Sequence, residues 1–413
     1  MTPDAASHAD ARPAAAAPRS SRATWLLALL PLLLLAALLT WIVRSGPADA
    51  VRGTNLPPVE KLAIERVTLG PEGIVVTALN DGPDPVTIAQ VVVDDAFWAF
   101  RAEPGTTLAH LGRTTITIPY PWVHGEQHAV RLVTSTGLTF DHTIAVAVTT
   151  PAPTAATFGT LALIGVYVGV IPVAIGLLWY PLVGRLGKRG LDFVLALTIG
   201  LLAFLFVDTT SEALEAASRV PSSYQGVGLA VFAALGAYLG IEVFGQWLRA
   251  RDNAVASAGW VLALLVAVGI GLHNFGEGLA IGAAFALGEA SLGALLIVGF
   301  TLHNTTEGLA IVAPLARDSA RGARLPLGAL VKLGLIGGVP TIAGAWLGGL
   351  MYSPIWSTVF LALGVGAIAQ VTGQILSQVA GDRPILRYLA SGPVAAGLAA
   401  GIVLMYVTGT LVG

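Results

Sequence analysis

Eight apolar runs govern what this chain can become. They fall at about 157–183, 190–217, 225–249, 255–287, 291–316, 326–351, 355–380 and 391–411, and each is long enough to cross the hydrocarbon of a bilayer. In lipid a backbone N–H or C=O finds no water, so runs of this length have to close their hydrogen bonds within themselves, as α-helices. Composition agrees. Of 413 residues 55% are hydrophobic and 11% charged, with a mean hydropathy of +0.78, which is too apolar for a soluble globule. The expected fold is an all-α polytopic bundle of eight helices over residues 157–413. The connections give it a direction. Arg185, Lys188 and Arg189 follow the first run, Arg249 and Arg251 the third, Arg317, Arg321 and Arg324 the fifth, and Arg383 and Arg387 the seventh, whereas the alternate loops hold almost no basic residue besides Arg219. Basic loops stay cytoplasmic, so both ends of the bundle, the C-terminus included, are expected to be extracytoplasmic.

Three regions precede the bundle. Residues 1–23, rich in Ala, Pro and Ser and carrying Arg12, Arg19 and Arg22, read as a disordered cytoplasmic tail. Residues 24–44 form one further apolar run, a transmembrane helix or signal anchor, and Ala48-Asp49-Ala50 behind it resembles a small-residue cleavage site. Residues 51–150 turn polar, with period-two alternation at Thr115-Ile116-Thr117-Ile118 and a turn signal, Asn80-Asp81-Gly82-Pro83, between β-rich runs. About seven strands are expected there, in an extracytoplasmic sandwich of immunoglobulin-like type. His124 and His128 are read as solvated histidines of a loop between strands.

The polar content of the bundle is concentrated in one sentence written twice. Leu272-His273-Asn274-Phe275-Gly276-Glu277-Gly278-Leu279-Ala280-Ile281 returns thirty positions later as Leu302-His303-Asn304-Thr305-Thr306-Glu307-Gly308-Leu309-Ala310-Ile311. In a helix His273 and Glu277 are i, i+4 and share a face, as do His303 and Glu307. A lone histidine in a membrane helix is often a packing residue. Four ionisable groups at bilayer depth, each costing roughly 2.5–3.5 kcal/mol to insert, are not explained that way. Of seven histidines, only these two lie beyond residue 143. Two imidazoles and two carboxylates are the donor set of a Zn²⁺-like cation. Antiparallel spans would bring them together near the midplane, with Asn274 and Asn304 offering oxygens to the flank.

Successive helices that each carry His-Asn-x-x-Glu-Gly resemble the ZIP family of divalent metal transporters, in particular its bacterial members, over about residues 157–413. The resemblance implies movement of divalent cations into the cytoplasm by one group of helices shifting against another. It also implies a second metal site beside the first, shaped by the Asn and Glu positions and completed by a carboxylate on the seventh run. Aligned on Gly366-Ala367, this chain has Gln374 at that place, with Gln370 and Gln378 on the same face. A glutamine supplies an oxygen but no charge. Gly276 and Thr306 stand where the family commonly has Pro before the glutamate.

Asp208, Glu212 and Glu215 lie at i, i+4, i+7 toward the outer end of the second run, and are expected to draw cations into an outward mouth. The substrate expected is Zn²⁺ first, with iron, manganese or cadmium next, and no prosthetic group. The partners expected are that cation, the lipid of a bacterial inner membrane and, as a candidate, a second copy in a homodimer. A net charge of −2 gives no nucleic-acid footprint, and the absence of cysteine removes thiolate ligands and disulfides. The alternative reading is an intramembrane metal-dependent hydrolase, with one Glu as base on metal-bound water.

Overall fold

The computed structural model describes residues 22–45, 57–251, 258–287, 290–315, 318–319, 325–381 and 383–410. The tail through residue 21, Ala48-Asp49-Ala50, the basic residues Arg317, Arg321 and Arg324, and the turn at 288–289 lie outside the described residues. Helix α1 (Arg22–Ser45) belongs to a unit of its own that ends at Pro58. Its side chains from Leu29 to Ile42 are exposed on every face. A helix that is apolar all round is suited to lipid.

The second unit, from Val59 onward, contains a β region and a helical bundle. Nine strands are described: β1 (Leu62–Gly70), β2 (Gly73–Asn80), β3 (Val86–Val93), β4 (Ala96–Trp98), β5 (Arg101–Glu103), β6 (Thr107–Leu108), β7 (Arg113–Ile118), β8 (His128–Thr134) and β9 (Thr139–Ile144). They make two antiparallel sheets, β1-β2-β7-β5 and β4-β3-β8-β9, with β6 added to β3. Alternate residues point inward, so Ile74, Val76, Ile116 and Ile118 of one sheet share a core with Ile88, Val91, Val130 and Leu132 of the other. Each such burial is worth roughly 1.5–3 kcal/mol. A register shift between Ile88 and Gln90 moves the inward set of β3 by one residue, which is why Val86 and Ile88 are followed by Val91 and Val93.

Two expectations change here: nine strands are described where about seven were expected, and one histidine moves from loop to strand. His128 is not solvated: it opens β8 at 2% exposure, with Nδ1 at 2.7 Å from Asp94 Oδ2 and its ring edge-on to Tyr120. The loop read around it ends one residue earlier than the composition suggested. The Asp94 carboxylate, which also takes the Tyr120 hydroxyl at 2.7 Å, pushes that phenol up to about 12. The turn signal Asn80-Asp81-Gly82-Pro83 does fall between β2 and β3, and it carries the chain from one sheet to the other. Asn80 ties the crossover from within by donating to Asp84 O and Leu108 O.

Asp81 in that crossover docks the β region on the bundle. It accepts from Ser222 N, Ser222 Oγ and Ser223 N at 2.8, 2.8 and 2.9 Å and pairs with Lys61 at 2.9 Å. Burial alone would raise this carboxyl; the Lys61 ammonium and the serine donors override it and hold the group well below the usual carboxylate range.

The bundle has eight helices long and apolar enough to cross a membrane. They are α2 (Ala155–Val183), α3 (Lys188–Ser218), α4 (Gly226–Arg251), α5 (Ala258–Ala286), α6 (Ala290–Val312), α7 (Leu327–Met351), α8 (Pro354–Ala380) and α9 (Gly392–Gly409). Two are irregular. A π-turn, Val166–Val170, interrupts α2, and α7 breaks between Gly338 and Pro340, where proline has no N–H to give and its ring displaces the preceding turn. Of these spans the most buried is α5 and the least buried is α4. Glycine permits the tightest crossing. A Cβ on Gly344 or Gly348 of α7 would stand 2.0 or 2.1 Å from the carbonyl oxygens of Phe275 and Leu279 on α5. The small-xxx-small pair on α9 does the same: Gly397 and Gly401 lie against Phe193 O and Leu197 O of α3. The β region covers the end of the bundle where Arg219, Leu287, Tyr352 and Pro354 meet; this is the proximal end below, and the other is distal.

Candidate metal centre

His273 stands in the middle of α5, about 20 Å from either end at 1.5 Å per residue. The close α5–α7 crossing buries it at 3% exposure, with Asn274 at 0% and Glu277 at 1%. On α6, His303, Asn304 and Glu307 are 4%, 0% and 1% exposed. A close approach between α2 and α6 seats that helix, since a Cβ on Gly308 would meet Val173 O at 2.2 Å. One ligand atom from each of His273, Glu277, His303 and Glu307 lies within 4.8 Å of the others. Glu277 Oε1 is hydrogen-bonded to His303 Nε2 and lies 3.3 Å from His273 Nε2, while Glu307 Oε1 lies 3.6 Å from His273 Nε2. The rings are 6.3 Å apart between centroids.

Side chains and backbone around the four orient them. Thr209 of α3, buried at 1%, places its hydroxyl 2.9 Å from His273 Nδ1. With Nδ1 as donor to that oxygen, Nε2 presents its lone pair to the cluster. Asn304 Nδ2 donates to Glu277 Oε2 at 2.8 Å and to Val168 O at 3.0 Å, inside the π-turn of α2. Asn274 Nδ2 donates at 3.0 Å to Gly337 O, beside the break in α7. Each asparagine is thus anchored on an irregular stretch of a neighbouring helix, where carbonyls tilt away from the helix axis. His273 Nε2, both oxygens of Glu307 and the Oδ1 atoms of Asn274 and Asn304 are buried without a well-formed hydrogen bond. Acceptor atoms desolvated in this way, with a shared focus, are what a divalent cation would satisfy.

The acid row on α3 divides. Asp208 and Glu212 flank Thr209 and are half-buried, and Glu212 lies within electrostatic reach of Asp208, His273, Glu277 and His303. Glu215 does not join them: it is exposed and pairs with Arg219 at 2.7 Å. Gln374 does not join the centre either. A Cβ on Gly364 of α8 would stand 3.3 Å from His273 Cα, and Gln374 lies ten residues further along, about 15 Å toward the distal end. There, with its amide oxygen presented, it accepts from Arg249 Nη1 and Nη2 at 2.6 and 3.0 Å. Gln370 lies between, donating to Glu242 Oε2 at 2.8 Å. The place beside the centre expected for Gln374 from the alignment on Gly366-Ala367 is therefore not met, because the continuous helix carries it past the level of His273. Gly276 has its own reason to lack a side chain: a Cβ there would meet Leu361 Cδ2 at 2.9 Å.

Sequence reasoning missed Thr209 and the carbonyls of Val168 and Gly337. The one signal for Thr209 was its place inside the acid row. No protein-family model matches this chain, and no curated protein matches it.

Proposed function

We propose that this protein carries divalent metal cations across a bilayer through the His273, Glu277, His303 and Glu307 centre, on the ZIP-like core that its doubled motif resembles. The observation that carries the reading is the convergence of four buried donor atoms within 4.8 Å at mid-depth of a bundle of membrane-length helices. Two imidazoles and two carboxylates suit Zn²⁺ best and admit Fe²⁺, Mn²⁺ and Cd²⁺. Asn274 Oδ1 and Asn304 Oδ1 complete the lining. A cation approaches from the proximal end, where Asp208 and Glu212 supply negative charge ahead of the centre. Arg185, Lys188, Arg189, Arg249, Arg383 and Arg387 lie in the distal connections or at the helix ends beside them, so the positive-inside rule makes that end cytoplasmic and transport inward, across a bacterial inner membrane. Glu215 and Gln374 have no part in binding. Four donors around one focus leave no open position of the kind a catalytic metal keeps for its water, which favours transport over hydrolysis.

The test is flux into proteoliposomes holding a metal-sensitive dye, with H273A and E307A beside the unaltered protein. Flux is expected to fall to background in both variants. Unaltered rates in both would remove the centre from the pathway.

A further inference from the structure

A cavity of about 420 Å³ lies between the β region and the proximal end of the bundle. Its walls include Glu65, Arg66 and His142 from the β region and Arg219, Leu287 and Tyr352 from the bundle. Neighbours on a regular strand point to opposite faces, yet Glu65 and Arg66 both line it. The cause is a break in register between Ile64 and Arg66, which makes Glu65 the extra residue of a bulge in β1. Bulges of this sort re-aim side chains.

The charges around the cavity do not cancel. Glu65 is held by Arg113 through two bonds, Nε to Oε2 at 2.7 Å and Nη2 to Oε1 at 3.0 Å. Arg219 is taken by Glu215 at 2.7 Å and by a hydrogen bond with Tyr352. Arg66 has neither an ion pair nor a side-chain hydrogen bond among the described residues. It is half-buried, and burial alone lowers its affinity for its proton. His142 is half-buried likewise. A guanidinium carries five donors in a plane, so one kept partly out of water without an acceptor is costly unless a ligand supplies it.

We propose that this cavity binds a phosphate group, held in bidentate fashion by Arg66 and flanked by Arg219 and His142. Phosphate matches both the planar fork and the place. Leu287, Tyr352 and Pro354 end or begin membrane-length spans, which is the depth at which lipid phosphates lie. The headgroup of an anionic phospholipid and free inorganic phosphate share this chemistry. Bound there, the anion bridges β1 to the end of α3, the helix that brings Thr209 to His273. The proposal is independent of the metal reading, because its site holds none of those residues.

The experiment uses the purified full chain. In one arm, binding of radiolabelled inorganic phosphate is measured by equilibrium dialysis in detergent. In the other, phosphatidylglycerol retained from a mixture with phosphatidylcholine is measured by native mass spectrometry. Arg66→Gln is expected to weaken whichever binds by about tenfold, the equivalent of one charge-assisted hydrogen bond. Arg101→Gln, on β5 away from the cavity, is expected to leave binding unchanged. Saturable phosphate binding lost in Arg66→Gln identifies the free anion, and retention of the lipid alone, lost in the same variant, identifies the headgroup. Should Arg66→Gln fail to fold, Arg219→Gln, which leaves β1 intact, carries the comparison. Binding of neither ligand, or binding undiminished by these substitutions, overturns the proposal.

Discussion

The two copies of the doubled motif present the same His, Asn and Glu and are used differently. In the first copy, His273 leans on Thr209 of α3, and Asn274 turns to Gly337 O of α7. In the second, His303 bonds Glu277 directly, and Asn304 spans from Val168 O to Glu277 Oε2. The two glutamates differ most. Glu277 is held by both histidines and by Asn304, while Glu307 has His273 at the longer distance of 3.6 Å and Asn274 beside it. Repetition in the sequence therefore supplies a symmetric set of donors, and the surrounding helices make the set unequal. Glu277 is the fixed member and Glu307 the adaptable one.

The largest effect expected is that of removing the fixed charge. Glu277→Gln leaves two imidazoles and Asn304 facing a neutral amide, and metal affinity measured by calorimetry on the detergent-solubilised protein should fall by at least about 100-fold. Glu307→Gln is expected to cost less affinity while still stopping flux, since a ligand that moves matters to passage more than to capture. Equal losses in the two variants would break the distinction between them.

Next come the asparagines. Asn304→Ala frees Glu277 Oε2 and should weaken binding by about 10- to 100-fold, the usual range for groups that orient a ligand. Asn274→Ala removes an anchor to backbone and a neighbour of Glu307, the less tightly held carboxylate, and should cost several-fold less. A reversed order would show that Asn274 Oδ1 is itself a ligand. Thr209→Val tests the first copy alone: it keeps shape and removes the hydroxyl on His273 Nδ1. About tenfold weaker binding is expected, together with loss of any difference in histidine proton exchange between His273 and His303 by NMR.

The four clustered side chains were legible in the sequence because i, i+4 spacing puts His and Glu on one face wherever the helix lies. So was the count of spans, which depends on length and hydropathy alone. What refines the site was not. The Val168 carbonyl is anonymous in sequence, and nothing in Val166–Val170 marks a π-turn. Gly337 O turns to Asn274 at a break that Pro340 signals, but its target depends on how α7 crosses α5. Glu215 fell to the helix end because its register meets Arg219 four residues on. His128 was read from loop-like neighbours, and its burial arises from Asp94 and Tyr120, distant in sequence.

A smaller effect is expected from the β region, which is fastened just beyond the end of α3, the helix that carries Thr209. Asp81 fastens the crossover after β2 to Ser222 and Ser223, just beyond the end of that helix. Its carboxyl is held below the ordinary value of about 3.9. The contribution to stability is therefore whole above about pH 4 and is lost as pH falls from there through the depressed value. Tryptophan-fluorescence melting should show a shallower acid limb in Asp81→Asn than in the unaltered protein, and Asp81→Asn should melt earlier at pH 7. Metal affinity in Asp81→Asn should fall only about twofold to threefold, because α9 still holds α3 through Gly397 and Gly401.

The least effect of all is expected at Gln374. A residue that completed the centre would tighten metal binding markedly on becoming an acid, because a carboxylate adds charge where glutamine gives only an oxygen. Gln374 instead faces Arg249 at 2.6 and 3.0 Å, about 15 Å from His273 along α8. Gln374→Glu should then direct its new charge to that guanidinium, in a partly exposed pair worth roughly 1 kcal/mol, and leave metal affinity within about twofold of the original. Calorimetry decides between the two, and the same variant measured for flux separates binding from release. A large gain in affinity would place Gln374 beside the centre in a state of the bundle other than this one, with α8 shifted along α5. No change in affinity with slower flux would make the Arg249–Gln374 contact a distal closure, opened once in each passage.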